Sequence, residues 1–115
     1  MQTQRIFKLE EEEKRLLDEI SKAKTSGSEL RVETGNLLVR VDTDVMHRGS
    51  LNTILTFSDG TVKTMKTSTF DPDFTITQKA KSLIGKRVKT TCWDPINQPG
   101  KWSNQGYFRN IYEVD

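Results

Sequence analysis

The sequence predicts a mainly β domain with helices, a small barrel or few-stranded sheet, preceded by one amphipathic helix. Three observations predict it. Apolar residues repeat every seven positions up to residue 25 and every two positions from residue 29 onward. Asp59-Gly60 separates two alternating runs with a tight-hairpin dipeptide. Only 33% of the 115 residues are hydrophobic and 30% are charged, which permits one small core and excludes a large α/β enzyme.

The N-terminal segment, residues 1–28, divides from the body, residues 29–115. Ile6, Glu13 and Ile20 share one core position of a heptad, and Leu9, Leu16 and Ala23 share the other. Glu13 is a defect in that seam, and three heptads alone in water form a marginal helix. The helix therefore packs on something: its own domain, a second copy in a coiled coil, or a partner. Ile6, Leu9, Leu16 and Ile20 are the candidate interface residues. Thr25-Ser26-Gly27-Ser28 ends the helix and serves as a linker.

From Leu30 the chain alternates as a strand, and the parity changes across Gly35-Asn36, which signals a tight turn or a glycine bulge in one long strand. Leu51 to Phe57 and Val62 to Lys66 flank the Asp59-Gly60 turn. A two-residue turn sets Phe57 beside Val62 and Leu55 beside Thr64 on one face. It sets Thr56 beside Lys63 and Ile54 beside Met65 on the other. Ile54 and Met65 then form an apolar outward pair, a seat for the N-terminal helix or a contact for a partner.

A helix follows over 75–84. Thr75 and Gln78 have capping-box spacing, Ile76, Ala80, Leu83 and Ile84 share a face, and Gly85 is the stop signal. Asp71 and Asp73 fit the start of that helix better than a metal site. In the next strand Val88, Thr90 and Cys92 point one way, with Arg87, Lys89, Thr91 and Trp93 opposite. The stretch W-D-P-I-N-Q-P-G-K-W, residues 93–102, is a loop with a tryptophan at each end. Gly106 to Val114 reads as the last strand.

This order, three strands, a helix and two strands over residues 29–115, resembles the OB-fold, a five-stranded barrel with a helix between its third and fourth strands. The features carrying the resemblance are the Gly35-Asn36 break, the helix 75–84 and the L-I-G-K-R-V-K opening of the following strand. The leading helix departs from that pattern, and an SH3-like barrel is the alternative. The resemblance implies a ligand face over the second and third strands, flanked by the loop from Asp94 to Lys101, and single-stranded nucleic acid as a frequent ligand.

The charges agree with that implication. Net charge is only +2, but residues 61–89 hold seven basic side chains against Asp71 and Asp73. Lys63, Lys66, Arg87, Lys89, Lys101 and Arg109 are candidate phosphate contacts, and Trp93 and Trp102 are candidate stacking surfaces. Trp93 is expected to be displayed and Trp102 to hold the loop shut. The same lysines also fit a solubilising surface, and tryptophans at the roots of a hairpin also form structural pairs.

Nothing in the sequence calls for catalysis or a cofactor. His47 is the only histidine, Cys92 the only cysteine, and no phosphate-binding glycine loop, dinucleotide fingerprint or C-x-x-C is present. No catalytic residues, metal ligands or cofactor are expected, and Cys92 reads as a buried structural thiol. The lone cysteine, the lack of a long apolar run and the lack of a secretory pattern predict a cytoplasmic, soluble chain with no membrane partner. The leading expectation is a non-enzymatic binder of single-stranded DNA or RNA. The competing one is a protein–protein assembly module, an accessory subunit or a small inhibitor of another complex.

Overall fold

The structure is a computed structural model describing the backbone of residues 2–114 and the side chains of residues 10–34 and 36–114. It is mainly β with helices. In chain order the elements are α1 (Gln2–Thr25), β1 (Ser28–His47), β2 (Ser50–Phe57), β3 (Val62–Lys66), α2 (Thr67–Phe70), α3 (Thr75–Ser82), β4 (Arg87–Pro95) and β5 (Asn110–Glu113). A 3-10 turn, Ser103–Gln105, lies between β4 and β5.

All ladders of the sheet are antiparallel, and the strand order is β3-β2-β1-β4-β5. β1 is one strand serving two partners. Its first half pairs with β4 from Ser28 to Leu37, and its second half pairs with β2 from Leu38 to His47. The exchange of partner falls at a register shift between Thr34 and Leu37, which is the bulge that the glycine in L-R-V-E-T-G-N signals.

The sheet is open rather than closed into a barrel. β3 and β5 are its edges, and β5 is only four residues long. Among the described residues one isolated parallel bridge joins Thr64 of β3 to Tyr107, three residues before β5. There the Thr64 N–H donates to Gly106 O at 2.8 Å and the Phe108 N–H donates to Thr64 O at 3.0 Å.

The β2–β3 turn corrects an expectation. Of its central pair only Gly60 has positive φ, at +88°. The Gly60 N–H donates to Phe57 O and the Phe57 N–H donates to Thr61 O, each at 2.9 Å. The loop is thus longer than two residues, and β3 slides by one position to pair Thr56 with Val62, Leu55 with Lys63 and Thr53 with Met65. A one-residue slide turns every side chain over. Met65 is therefore fully buried in the core instead of outward beside Ile54, and Lys63 points inward with it.

Leu38, Leu55, Phe57, Met65, Val88, Phe108 and Ile111 form that core with Ala80 of α3 and Leu83 just after it. Asp71 starts α3 in place of the expected Thr75–Gln78 box. Its buried carboxylate accepts the Ile76 N–H at 2.9 Å, the Thr77 N–H at 2.8 Å and the Thr77 hydroxyl at 2.7 Å. Thr53 on β2 shares hydrogen bonds with the Thr67 and Thr77 hydroxyls, which fastens both short helices to the sheet.

α1 lies on its own domain. Among its described side chains Glu12, Glu19 and Ala23 are buried, Leu16 and Ile20 are half-buried and Leu17 is exposed. The side chains of Ile6 and Leu9 fall outside those described. The contact is built on carboxylates: Glu19 accepts from Thr91 Oγ1 at 2.7 Å, Trp93 Nε1 at 2.8 Å and the Tyr112 hydroxyl at 2.5 Å. Glu12 pairs with Lys79 at 2.9 Å and with Arg15 at 3.4 Å. Among the described residues no helix is long and apolar enough to cross a membrane.

Glu19→Ala leaves three buried or half-buried donors without an acceptor. It is expected to lower stability by roughly 2–4 kcal/mol in a denaturant titration and to open α1 to limited proteolysis.

Candidate functional site

β4 carries the site to the end of the sheet. Val88, Thr90, Cys92 and Asp94 face inward and are buried, and Thr91 and Trp93 occupy the other face. Asp94, the last inward residue, folds the tryptophan-flanked loop around its carboxylate. It accepts the Gly100, Trp102 and Ser103 N–H groups at 3.1, 2.8 and 3.0 Å, and the Ser103 hydroxyl at 2.6 Å. Burial pushes this carboxyl up, but the four donors outweigh it and hold the group below the usual aspartate range. Gly100 is required in the loop: its φ is +79°, and a Cβ there would meet the Asn104 side chain at 2.3 Å.

The loop so formed presents Trp102, which is 40% exposed. Tyr107 stands edge-on to it with ring centroids 5.9 Å apart, and Lys101 Nζ lies 4.9 Å from the ring centre. Opposite are Lys66 at the end of β3 and Phe70 at the end of α2, both exposed. Arg109 stands between the walls. Its guanidinium lies 3.8 Å from the Trp93 ring centre and 4.7 Å from that of Phe70.

Lys66, Phe70, Cys92, Trp93, Trp102, Tyr107, Phe108 and Arg109 enclose a cleft of about 170 Å³. It sits beside the Thr64–Tyr107 bridge, at the end of β3. Five of its eight residues are aromatic and two are cationic. Such a lining suits a planar, electron-rich, anionic ligand, with rings for stacking and cations for its charge.

A second hollow of about 310 Å³ lies on the far side of Arg109, Trp93 and Phe70, under α1. Its charges are mixed. Of its cations, Lys22 is held by Asp18 at 2.9 Å and Arg15 by Glu12 at 3.4 Å, while Arg109 is shared with the cleft.

The expected site residues divide accordingly. Lys66, Trp93, Trp102 and Arg109 meet at the cleft, with Lys101 at its rim. Lys63 does not: it is 8% exposed and ion-paired with Glu33, because the slide of β3 turned it inward. Arg87 and Lys89 share a face with Trp93 but begin the strand that Trp93 nearly ends, about 13–20 Å away at 3.3 Å per residue. Trp93 is not displayed as expected. Its indole N–H is bound by Glu19 and its ring is covered by Arg109. The two tryptophans thus exchange their expected parts, with Trp102 presented and Trp93 holding structure.

Phe70 and Tyr107 are cleft residues that sequence reasoning missed. Phe70 lies in T-S-T-F, which carries no periodic signal, and Tyr107 reads as part of the last strand although β5 begins at Asn110. Among the described residues no group of three metal-ligating side chains comes together. Family models, curated proteins and solved structures offer no match to this chain.

Two outcomes follow from the carboxylate and the thiol. With its pKa depressed, Asp94 contributes stability that is full above about pH 4 and is lost as pH falls through its folded-state pKa. Asp94→Asn should flatten that acid arm in pH-dependent denaturation and lower stability at neutral pH by roughly 1–3 kcal/mol. Burial, and then the nearby charge of Asp94, push the Cys92 thiol up to about 12. Iodoacetamide should leave Cys92 unmodified in the folded protein at neutral pH and alkylate it in guanidinium, as read by mass spectrometry.

Proposed function

We propose that the protein is a non-enzymatic binding module that holds single-stranded nucleic acid at the cleft beside Trp102. The observation that carries this reading is the Trp102 platform: an exposed indole braced by Tyr107, with Lys101 over it and Lys66 at the opposite wall. A base stacked on such a ring contributes roughly 1–3 kcal/mol. Lys66, Lys101 and Arg109 form no ion pair with a described residue, so each is free for an anion.

The reading treats the β body as OB-like. Its support is the central β1 that pairs with both β2 and β4, the helices between β3 and β4, and the parallel bridge drawing Tyr107 alongside β3. On that plan the loop from β4 to β5 flanks the ligand face, and this loop carries Trp102 and Tyr107. A lone buried thiol with no disulfide partner suits a reducing compartment, so we place the protein in the cytoplasm.

The test is a polarisation titration with labelled single-stranded oligonucleotides at low and moderate salt. Binding should weaken about 5- to 150-fold in Trp102→Ala. Replacing either Lys66 or Lys101 by Ala should reduce the slope of log K against log salt by about 0.7. Absence of binding even at low salt overturns the proposal.

A second reading, protein–protein assembly, is favoured by one observation. Met46 and Leu51 face each other across the β1–β2 hairpin and are 66% and 36% exposed. These two replace the Ile54–Met65 pair as the apolar surface for a partner. Sedimentation that shows a concentration-dependent dimer abolished by Met46→Ser with Leu51→Ser supports it; a monomer at all concentrations rules out self-assembly.

A further inference from the structure

Arg109 is held in an unusual setting for a surface-loop arginine. It sits one residue before β5, and its backbone N–H donates to Thr91 O at 2.6 Å, which fixes the start of its side chain against β4. Trp93 and Phe70 then cover the guanidinium with two rings. Burial lowers its pKa, with the charge of Glu19 acting in the opposite direction, so the group is desolvated yet remains charged.

What the structure leaves open is its edge. A guanidinium has five N–H donors in one plane. Among the described residues none accepts a hydrogen bond from them. Glu19 offsets the charge, but its oxygens are taken by Thr91, Trp93 and Tyr112. The Trp93 and Phe70 rings lie 3.8 and 4.7 Å from the cation, and because its N–H donors lie in the guanidinium plane an acceptor meets them edge-on.

A carboxylate, a phosphate and a base edge each offer the paired acceptors that such a fork takes, and the aromatic lining of the cleft favours the base, which can stack as well. Phosphates are tetrahedral and strongly hydrated, and the exposed Lys66 and Lys101 at the rim suit them. On the cleft side Arg109 is surrounded by rings, which suits a base. Among bases, guanine presents O6 and N7 as neighbouring acceptors, and arginine donates to both in the commonest specific contact.

We infer that Arg109 is a specificity determinant that reads the O6/N7 edge of one guanine seated in the cleft between Trp102 and Phe70. The inference rests on the single-strand reading above and deepens it. It makes the site a one-base reader within an otherwise sequence-tolerant strand contact.

The experiment compares two labelled oligonucleotides by polarisation, one all thymine and one identical but for a single central guanine. The guanine strand should bind the wild-type chain about 5- to 150-fold tighter. Exchanging guanine for 7-deazaguanine, which lacks N7, should remove most of that advantage while using the unaltered protein. Arg109→Lys keeps the charge but loses the fork, and should bring the ratio of the two affinities toward one.

Equal wild-type affinity for both strands overturns the inference while leaving strand binding in place. So does an Arg109→Lys variant that weakens both strands by one factor and keeps their ratio, because that marks a phosphate contact. Binding to neither strand overturns both the inference and the reading beneath it. Guanosine monophosphate as competitor separates the sources of the base. Weaker competition than the guanine strand supports a guanine within a strand, and equal competition overturns the strand context.

Discussion

The rest of the structure depends on the buried carboxylate of Glu19. It reaches from α1 across the outer face of the sheet and takes donors from two strands, Thr91 and Trp93 on β4 and Tyr112 on β5. A charged acceptor removed from water is tolerated only when donors replace the lost water, and three donors do so here. The consequence runs in both directions. α1 gains a fixed seat that its weak apolar seam does not supply, and β4 and β5 are held together beyond their short ladder. Trp93 is fixed in turn, and with it the ring on which Arg109 rests.

Glu19 is one case of a device used elsewhere in the chain. Asp71 starts α3 by collecting three donors, and Asp94 folds the loop from β4 by collecting four. Each is almost wholly buried and stands where a stretch of irregular backbone has to be given one shape. With only a third of its residues hydrophobic, a domain of this size cannot shape its loops by apolar packing alone. Multiply bonded carboxylates take over that task. They also explain how an exposed indole can be held still: the ordering entropy of the Trp102 loop is met by Asp94 in advance, and a stacking ligand need not supply it.

Much of the candidate site was legible in residue types and little of it in residue positions. The excess of lysine and arginine and the two tryptophans pointed to a basic aromatic surface, and Lys66, Trp93, Trp102 and Arg109 do share one cleft. Which tryptophan is presented was not legible, because that depends on Glu19 arriving from seventy-four positions away to bind the Trp93 indole. Lys63 was lost to the cleft by a single step in register at the Asp59-Gly60 turn, where only Gly60 takes positive φ. Phe70 joins the cleft because a threonine network seats α2 on β2, and such long-range hydroxyl contacts leave no period in the sequence.

By itself the sequence determined what is local. The switch from a seven-residue to a two-residue rhythm separates α1 from the strands, the break near Gly35 shifts the register of β1, and the inward parity of Val88, Thr90 and Cys92 holds along β4. These follow from side-chain periodicity and backbone stereochemistry, which act between near neighbours. Only the tertiary structure decided the register of β3, the open edge between β3 and β5, the seat of α1 and the exchange of parts between Trp93 and Trp102. Each of those turns on which distant donor finds which buried acceptor, and that competition is resolved only when the elements have packed.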